Sequence, residues 1–327
     1  MGKDKRYSFA DTERMKAEVI TCLTSTLGFP QPDVEALFRY SLASTPSVLR
    51  FEGLKVLSPL KREELGEMVG IDDIVRRIWR VKDLPILHHL RKHIKFLLES
   101  PTISQTSSNA EQEKDWHNKI FELYFALILA PYVSSIDLDD PYHSDPNRRP
   151  DLIVEANGER WAFECKVIYS TTPDRAKTYL DKLEEAYDQL ARAGASEGIP
   201  VVCFKNQVPL NELWPELAPN EYKVWETIGP PFSFIESKFK EIDDTLHKSF
   251  DHQVDLEKLL SADDGVGIRD GITPCSINIM LGTTAAVDGS GPTVMICREM
   301  ALLRFADISS TATNLISLLQ EELHQQP

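Results

Sequence analysis

The sequence predicts an α/β protein: a mixed central sheet flanked by helices, preceded by an all-helical N-terminal domain. Three observations lead there. Apolar residues recur at helical spacing through 10–27, 31–42, 71–81 and 84–98. Beyond a polar, serine-rich stretch at 100–110, helical and strand-like patterns alternate. The charge balance changes at the same place. Residues 1–108 carry 17 basic and 14 acidic side chains, net +3, whereas residues 109–327 carry 19 and 37, net −18. We therefore expect a helical domain over 1–108, a linker at 100–110, and an α/β domain over 109–327 with an acidic insertion at about 206–268.

Each element has a local reason. Asp72 and Asp83 stand where N-caps would start the helices at 71–81 and 84–98. Residues 111–130 read as a helix that becomes strongly apolar. Residues 151–155 and 160–168 read as strands, and Asn157-Gly158 between them is a two-residue hairpin signal. A charged amphipathic helix follows at 174–193, then a buried strand at 199–204. The acidic segment turns helical from Phe234 onward. Two more strands, 276–281 and 293–297, precede a last helix at 309–323.

Composition excludes several classes. The chain has 327 residues, 42% apolar and 27% charged, which is globular rather than disordered or collagen-like. The longest clean apolar run, 123–133, is too short to cross a bilayer, so no membrane partner is expected. The charged start lacks an apolar signal segment, and the five scattered cysteines lack a C-x-x-C pair. Both point to a cytoplasmic chain with reduced thiols. The glycine-rich 265–271 lacks the G-K-[ST] of a P-loop, and no G-x-S-x-G elbow occurs.

The chemistry concentrates around the predicted hairpin. With residues 157 and 158 as its turn, opposed positions sum to 315: Glu155 faces Arg160, Leu152 faces Phe163, and Asp151 faces Glu164. Like charges directly opposed repel, so the last pair calls for a cation. Strand alternation puts Glu164 and Lys166 on one face and Phe163, Cys165 and Val167 on the other. Two carboxylates and an ammonium then converge beside a sheet, a donor set suited to a hard divalent cation such as Mg²⁺, with Mn²⁺ as the alternative. The plainer alternative is a surface hairpin with ordinary ion pairs.

Pro150-Asp151 followed by Glu164-Cys165-Lys166 resembles the PD-(D/E)xK nuclease superfamily, also called the restriction-endonuclease-like fold. The resemblance spans roughly residues 111–205. It implies a restriction-endonuclease-like core of helix, three strands, helix and strand, and Mg²⁺-dependent phosphodiester hydrolysis. It implies Asp151 and Glu164 as metal ligands, the Cys165 carbonyl as a further ligand, and Lys166 orienting or activating the attacking water. It favours DNA over RNA and an endonuclease of restriction or anti-phage defence. A DNA-repair or RNA-processing nuclease with the same site, or a catalytically inactive interaction module on this scaffold, are the rivals.

Further residues are candidates around that site. Glu122 is the only charge within 120–133. A buried carboxylate needs a partner, and many superfamily members carry an acidic residue on this helix. Alternatively Glu122 lies at the helix margin beside Lys119. Gln189 sits where some branches place a glutamine that reaches the site, though it neighbours Glu184, Glu185 and Asp188 and equally suits a solvated face. Arg148 and Arg149 precede the Pro-Asp and suit a phosphate, or neutralise Asp145. Arg76, Arg77, Arg80, Arg91, Lys92 and Lys95 would form a positive nucleic-acid-binding face if their helices align, or merely a solvated one. His89 and His93 have metal-ligand spacing but no third ligand nearby, and read as non-metal. The net −18 of the second part predicts little affinity for a polyanion by itself, which points to substrate binding through the N-terminal face, a homodimer, or a partner protein.

Overall fold

The computed structural model describes residues 9–38, 50–52, 55–57, 62–99, 114–143, 149–168, 175–204, 207–219, 221–250, 260–261, 269–288 and 291–324. The expected linker at 100–110, with the boundary at 108–109, lies outside them.

The expected mixed sheet is present. Six strands run β3 (Ser135–Leu138), β4 (Leu152–Ala156), β5 (Glu159–Ile168), β6 (Glu197–Phe204), β9 (Cys275–Asp288) and β10 (Gly291–Arg304). Their order is β10-β9-β6-β5-β4-β3. The pairs at both ends are antiparallel, while β5–β6 and β6–β9 are parallel. The parallel centre explains the patterning. Positions 161–168 and 198–204 are buried throughout, as central parallel strands covered on both faces must be. Asn157 and Gly158 both adopt positive φ, 54° and 81°, as a type I′ turn requires. Glu155 pairs with Arg160 and Leu152 with Phe163, the register expected from the sequence.

Helices cover both faces. α5 (Lys114–Leu129) packs its Phe125 edge-on against Phe163. α6 (Arg175–Ala191) supplies the β5-to-β6 crossover and covers the opposite face. There Phe204 stacks on Tyr179 and meets Phe239 of α8 (Gly229–Phe250). Tyr187 is fully buried, its hydroxyl donating to the Cys275 carbonyl at 2.9 Å. The C-terminal helix α9 (Ser310–His324) and α3 (Arg62–Val81) pack against α5. No helix among the described residues is long and apolar enough to cross a membrane.

The N-terminal region is largely helical: α1 (Phe9–Thr21) running into a π-helical turn at Cys22–Thr26, α2 (Gln31–Phe38), α3, a 3₁₀ turn at Pro85–Leu90, and α4 (Arg91–Glu99). It is not all-helical. β1 (Arg50–Glu52) and β2 (Lys55–Leu57) join β8 (Glu221–Lys223) and β7 (Glu216–Ala218) in a second sheet of order β1-β2-β8-β7. The acidic insertion therefore contributes two strands, a short helix α7 (Leu210–Leu213) and α8, which starts earlier than Phe234. Asp72 and Asp83 do not cap. Asp72 lies inside α3 and pairs with Arg76 at 2.7 Å, and Asp83 pairs with Lys82.

A buried charge cluster ties α3 to β10. Arg298 Nη2 donates to Asp73 Oδ1, and Arg77 Nε donates to Asp73 Oδ2 at 3.4 Å. Arg77 also lies 4.8 Å from the ring centroid of Tyr124 on α5. Burial alone would raise the Asp73 carboxyl, but the two guanidinium charges outweigh it and hold it below the ordinary aspartate value.

Candidate active site

The site forms where β4 begins opposite the middle of β5. Asp151 precedes β4 by one residue, so the hairpin register carries it to Glu164. Its backbone N–H donates to Glu164 Oε2 at 3.1 Å, and its Oδ2 accepts from the Cys165 N–H at 2.9 Å. Lys166, next on the same face, donates from Nζ to Glu164 Oε1 at 2.7 Å, to Gln189 Oε1 at 2.9 Å and to Glu185 Oε1 at 3.2 Å. Glu185 and Gln189 are one turn apart on α6, which lies over this face because the crossover returns it there. The structure thus brings together Asp151, Glu164, Lys166 and Gln189. Gln189 is buried and bonded to the lysine, not on a solvated face.

A second group adjoins Asp151. Glu122 is 2% exposed within α5. Lys119, one turn earlier, lies 3.0 Å from both Glu122 oxygens, 3.6 Å from Asp139 Oδ2 and 3.7 Å from Asp151 Oδ1. His93 Nε2, also buried, lies 3.3 Å from Glu122 Oε2. Glu122 is therefore both buried and paired with Lys119, which joins it to Asp151.

The electrostatics follow from burial and crowding. Desolvation, then the Asp151 charge, push Glu164 up to about 8 against the pull of Lys166. Desolvation and Asp151 likewise raise Glu122 well above the ordinary glutamate value. Burial would depress both lysines, but neighbouring carboxylates outweigh it, chiefly Glu164 at Lys166 and Glu122 at Lys119. Both are shifted upward and remain ammonium ions at neutral pH. Burial, with the Lys119 charge, lowers His93 to about 3, so its ring is neutral. Glu185, paired with Lys182 and Lys166, falls to about 2 despite partial burial.

No family model, curated protein or solved structure matches this chain.

Several expected contacts are corrected. Arg77 is 1% exposed and held by Asp73, so it cannot reach a ligand at the surface. Arg80 pairs with Glu322 at 2.7 Å, and Arg76 with Asp72. Arg91 donates to the Leu27 carbonyl at 2.8 Å and lies over the Phe29 ring. Lys92 and Lys95 are exposed but pair with Asp140 and Glu99. Each of the six is paired within the protein, Arg77 in a buried position. Arg149 grips Asp137 through both terminal nitrogens, at 2.8 and 3.1 Å. Arg148 lies outside the described residues.

Sequence reasoning overlooked Asp139, read His93 only as a non-metal histidine and Glu185 only as a charge beside Gln189, and weighed Lys119 only as a partner of Glu122. The four-residue spacing of Glu185 and Gln189 was a usable signal, as was the alternation of Asp137 and Asp139 at the end of β3. Nothing local links His93 to Glu122.

Proposed function

We propose that this chain is a metal-dependent nuclease, a Mg²⁺-dependent phosphodiesterase of the PD-(D/E)xK kind. The carrying observation is the opposed pair Asp151 and Glu164 with Lys166 held beside it by Glu164, Gln189 and Glu185. The element order α5–β3–β4–β5–α6–β6 supports it, being one helix, three strands, a helix and a strand. The preference for DNA and the defence setting come from the resemblance in the Asp151–Lys166 motif.

The donor set suits the implied ion in kind. Among the described residues, no group of three or more His, Cys, Asp or Glu side chains is gathered to hold a metal by itself. Mg²⁺ does not need one, since it takes one or two carboxylates and completes its shell with water and substrate oxygens. Asp151 Oδ1 is the carboxylate atom not engaged by the Cys165 N–H, and Glu164 and the Cys165 carbonyl would add to it. When bound, the ion would polarise a phosphoryl oxygen and acidify a water.

The protein's own residues do the rest. Lys166 stays protonated, so it acts as a hydrogen-bond donor and a positive charge rather than as a base; its three N–H groups are engaged by Glu164, Gln189 and Glu185, so one, the 3.2 Å contact to Glu185 being the longest, would have to turn toward a water or a phosphoryl oxygen. Gln189 and Glu185 fix its ammonium in place. The deciding experiment is incubation of supercoiled plasmid with Mg²⁺ or Mn²⁺, beside EDTA and Lys166→Ala controls. Metal-dependent nicking or linearisation that the variant lacks is expected. Cleavage by Lys166→Ala at the wild-type rate would refute the assignment.

A further inference from the structure

The acidic side of the site already contains a cation. The Lys119 side chain is 14% exposed, and its Nζ lies within 4 Å of three carboxylates from three segments: Glu122 of α5, Asp139 after β3, and Asp151 before β4. A surface ion pair neutralises one partner, whereas this ammonium is shared. Its contacts are unequal. The two at 3.0 Å to Glu122 have hydrogen-bond length, while 3.6 and 3.7 Å to Asp139 and Asp151 are Coulombic contacts only. Asp151 Oδ1, the atom Lys119 attracts, is also the one not engaged by the Cys165 N–H. Any divalent ion held by Asp151 must compete for it.

We propose that the Lys119 ammonium is a tethered counter-ion, holding Glu122, Asp139 and Asp151 together when no divalent cation is bound and giving up Asp151 when one binds. This rests on the metal-dependent reading above and adds a regulator of metal affinity to it. The long, flexible lysine stem lets Nζ stay on Glu122 while it moves away from Asp151. Folding would then not wait for metal, and the ion would bind weakly until substrate oxygens completed its shell.

The test uses the full chain as wild type, Lys119→Met and Lys119→Arg. Mn²⁺ binding is measured by calorimetry, and thermal unfolding in EDTA and in Mn²⁺. Lys119→Met should bind Mn²⁺ at least about tenfold more tightly, since a positive charge a few ångströms from the ion has gone. It should melt below wild type in EDTA and recover with Mn²⁺, and Lys119→Arg should resemble wild type in both. Unchanged or weaker Mn²⁺ affinity in Lys119→Met, or no loss of stability in EDTA, overturns the counter-ion and leaves the metal site standing. Failure of Mn²⁺ to bind either protein overturns the metal reading and this inference together. If Lys119→Met does not fold, the wild type decides: the Lys119 ε-carbon NMR signal, assigned by its loss in Lys119→Arg, should shift on adding Mg²⁺. An unmoved signal overturns the proposal.

Discussion

Glu164 gives the sharpest physical prediction. Its carboxyl is 2% exposed and opposed to Asp151, which together push it up to about 8. An unfolded chain would release that proton near the ordinary glutamate value, so between the two values the folded protein binds a proton that the unfolded chain lacks. Stability must then fall as pH rises through that range. Glu164 alone should cost about 1 kcal/mol between about pH 7 and pH 8.5, or about 1–2 °C in melting temperature for a chain of this size. Other groups do not reverse the sign. His93, lowered to about 3, affects stability only below the ordinary histidine range, and Glu185, at about 2, stays ionised. Glu122, raised for the same reason as Glu164, adds a slope of the same sign. The assay is urea unfolding across this window in EDTA, comparing wild type with Glu164→Gln, which keeps the shape and cannot ionise. The wild type should lose more stability than the variant, by about the stated amount. Parallel curves would show that Glu164 titrates normally, and would refute the account of crowded carboxylates.

Two predictions concern the frame around the site. Asp73→Ala leaves Arg77 and Arg298 buried without their shared carboxylate and should destabilise by about 3–5 kcal/mol in denaturant titrations, with a smaller loss when Arg298→Met is added. Equal losses in the single and double variants would show that the charges are not coupled. Gly158→Ala meets nothing within 4 Å, so its cost is only that of holding alanine at φ 81°, about 1 kcal/mol. A neutral effect on unfolding would mean that the hairpin turn is not type I′.

The hairpin and its register were legible because their causes are local. Two residues set the turn, period-2 alternation sets the faces, and together they bring Asp151 to Glu164 without knowledge of anything else. β9 and β10 were read too short for a related reason. The segment Gly282–Asp288 is small and polar, and only its pairing with β10 makes it strand. β1 and β2 are three residues each, and β2 pairs with β8 across 164 to 168 positions, so no window of sequence contains the signal. The basic stretch misled in a different way. Periodicity shows that Arg77 lies on a helix face but not what that face meets. The acid and arginine that bury it, Asp73 and Arg298, pair across 225 positions.

The same distinction bears on how the site relates to the N-terminal region. The pair Asp151 and Glu164 with Lys166 is made within one hairpin and the helix that follows. Its acidic flank is not. Glu122 is packed against His93 of α4, and the helix carrying Glu122 rests on α3, whose Asp73 neutralises Arg298 from the sheet. A buried carboxylate such as Glu122 is tolerable only where its surroundings fix its partners. Those surroundings include residues from the first hundred positions, which therefore act as part of the wall that sets the charge of the site and not as an appendage to it.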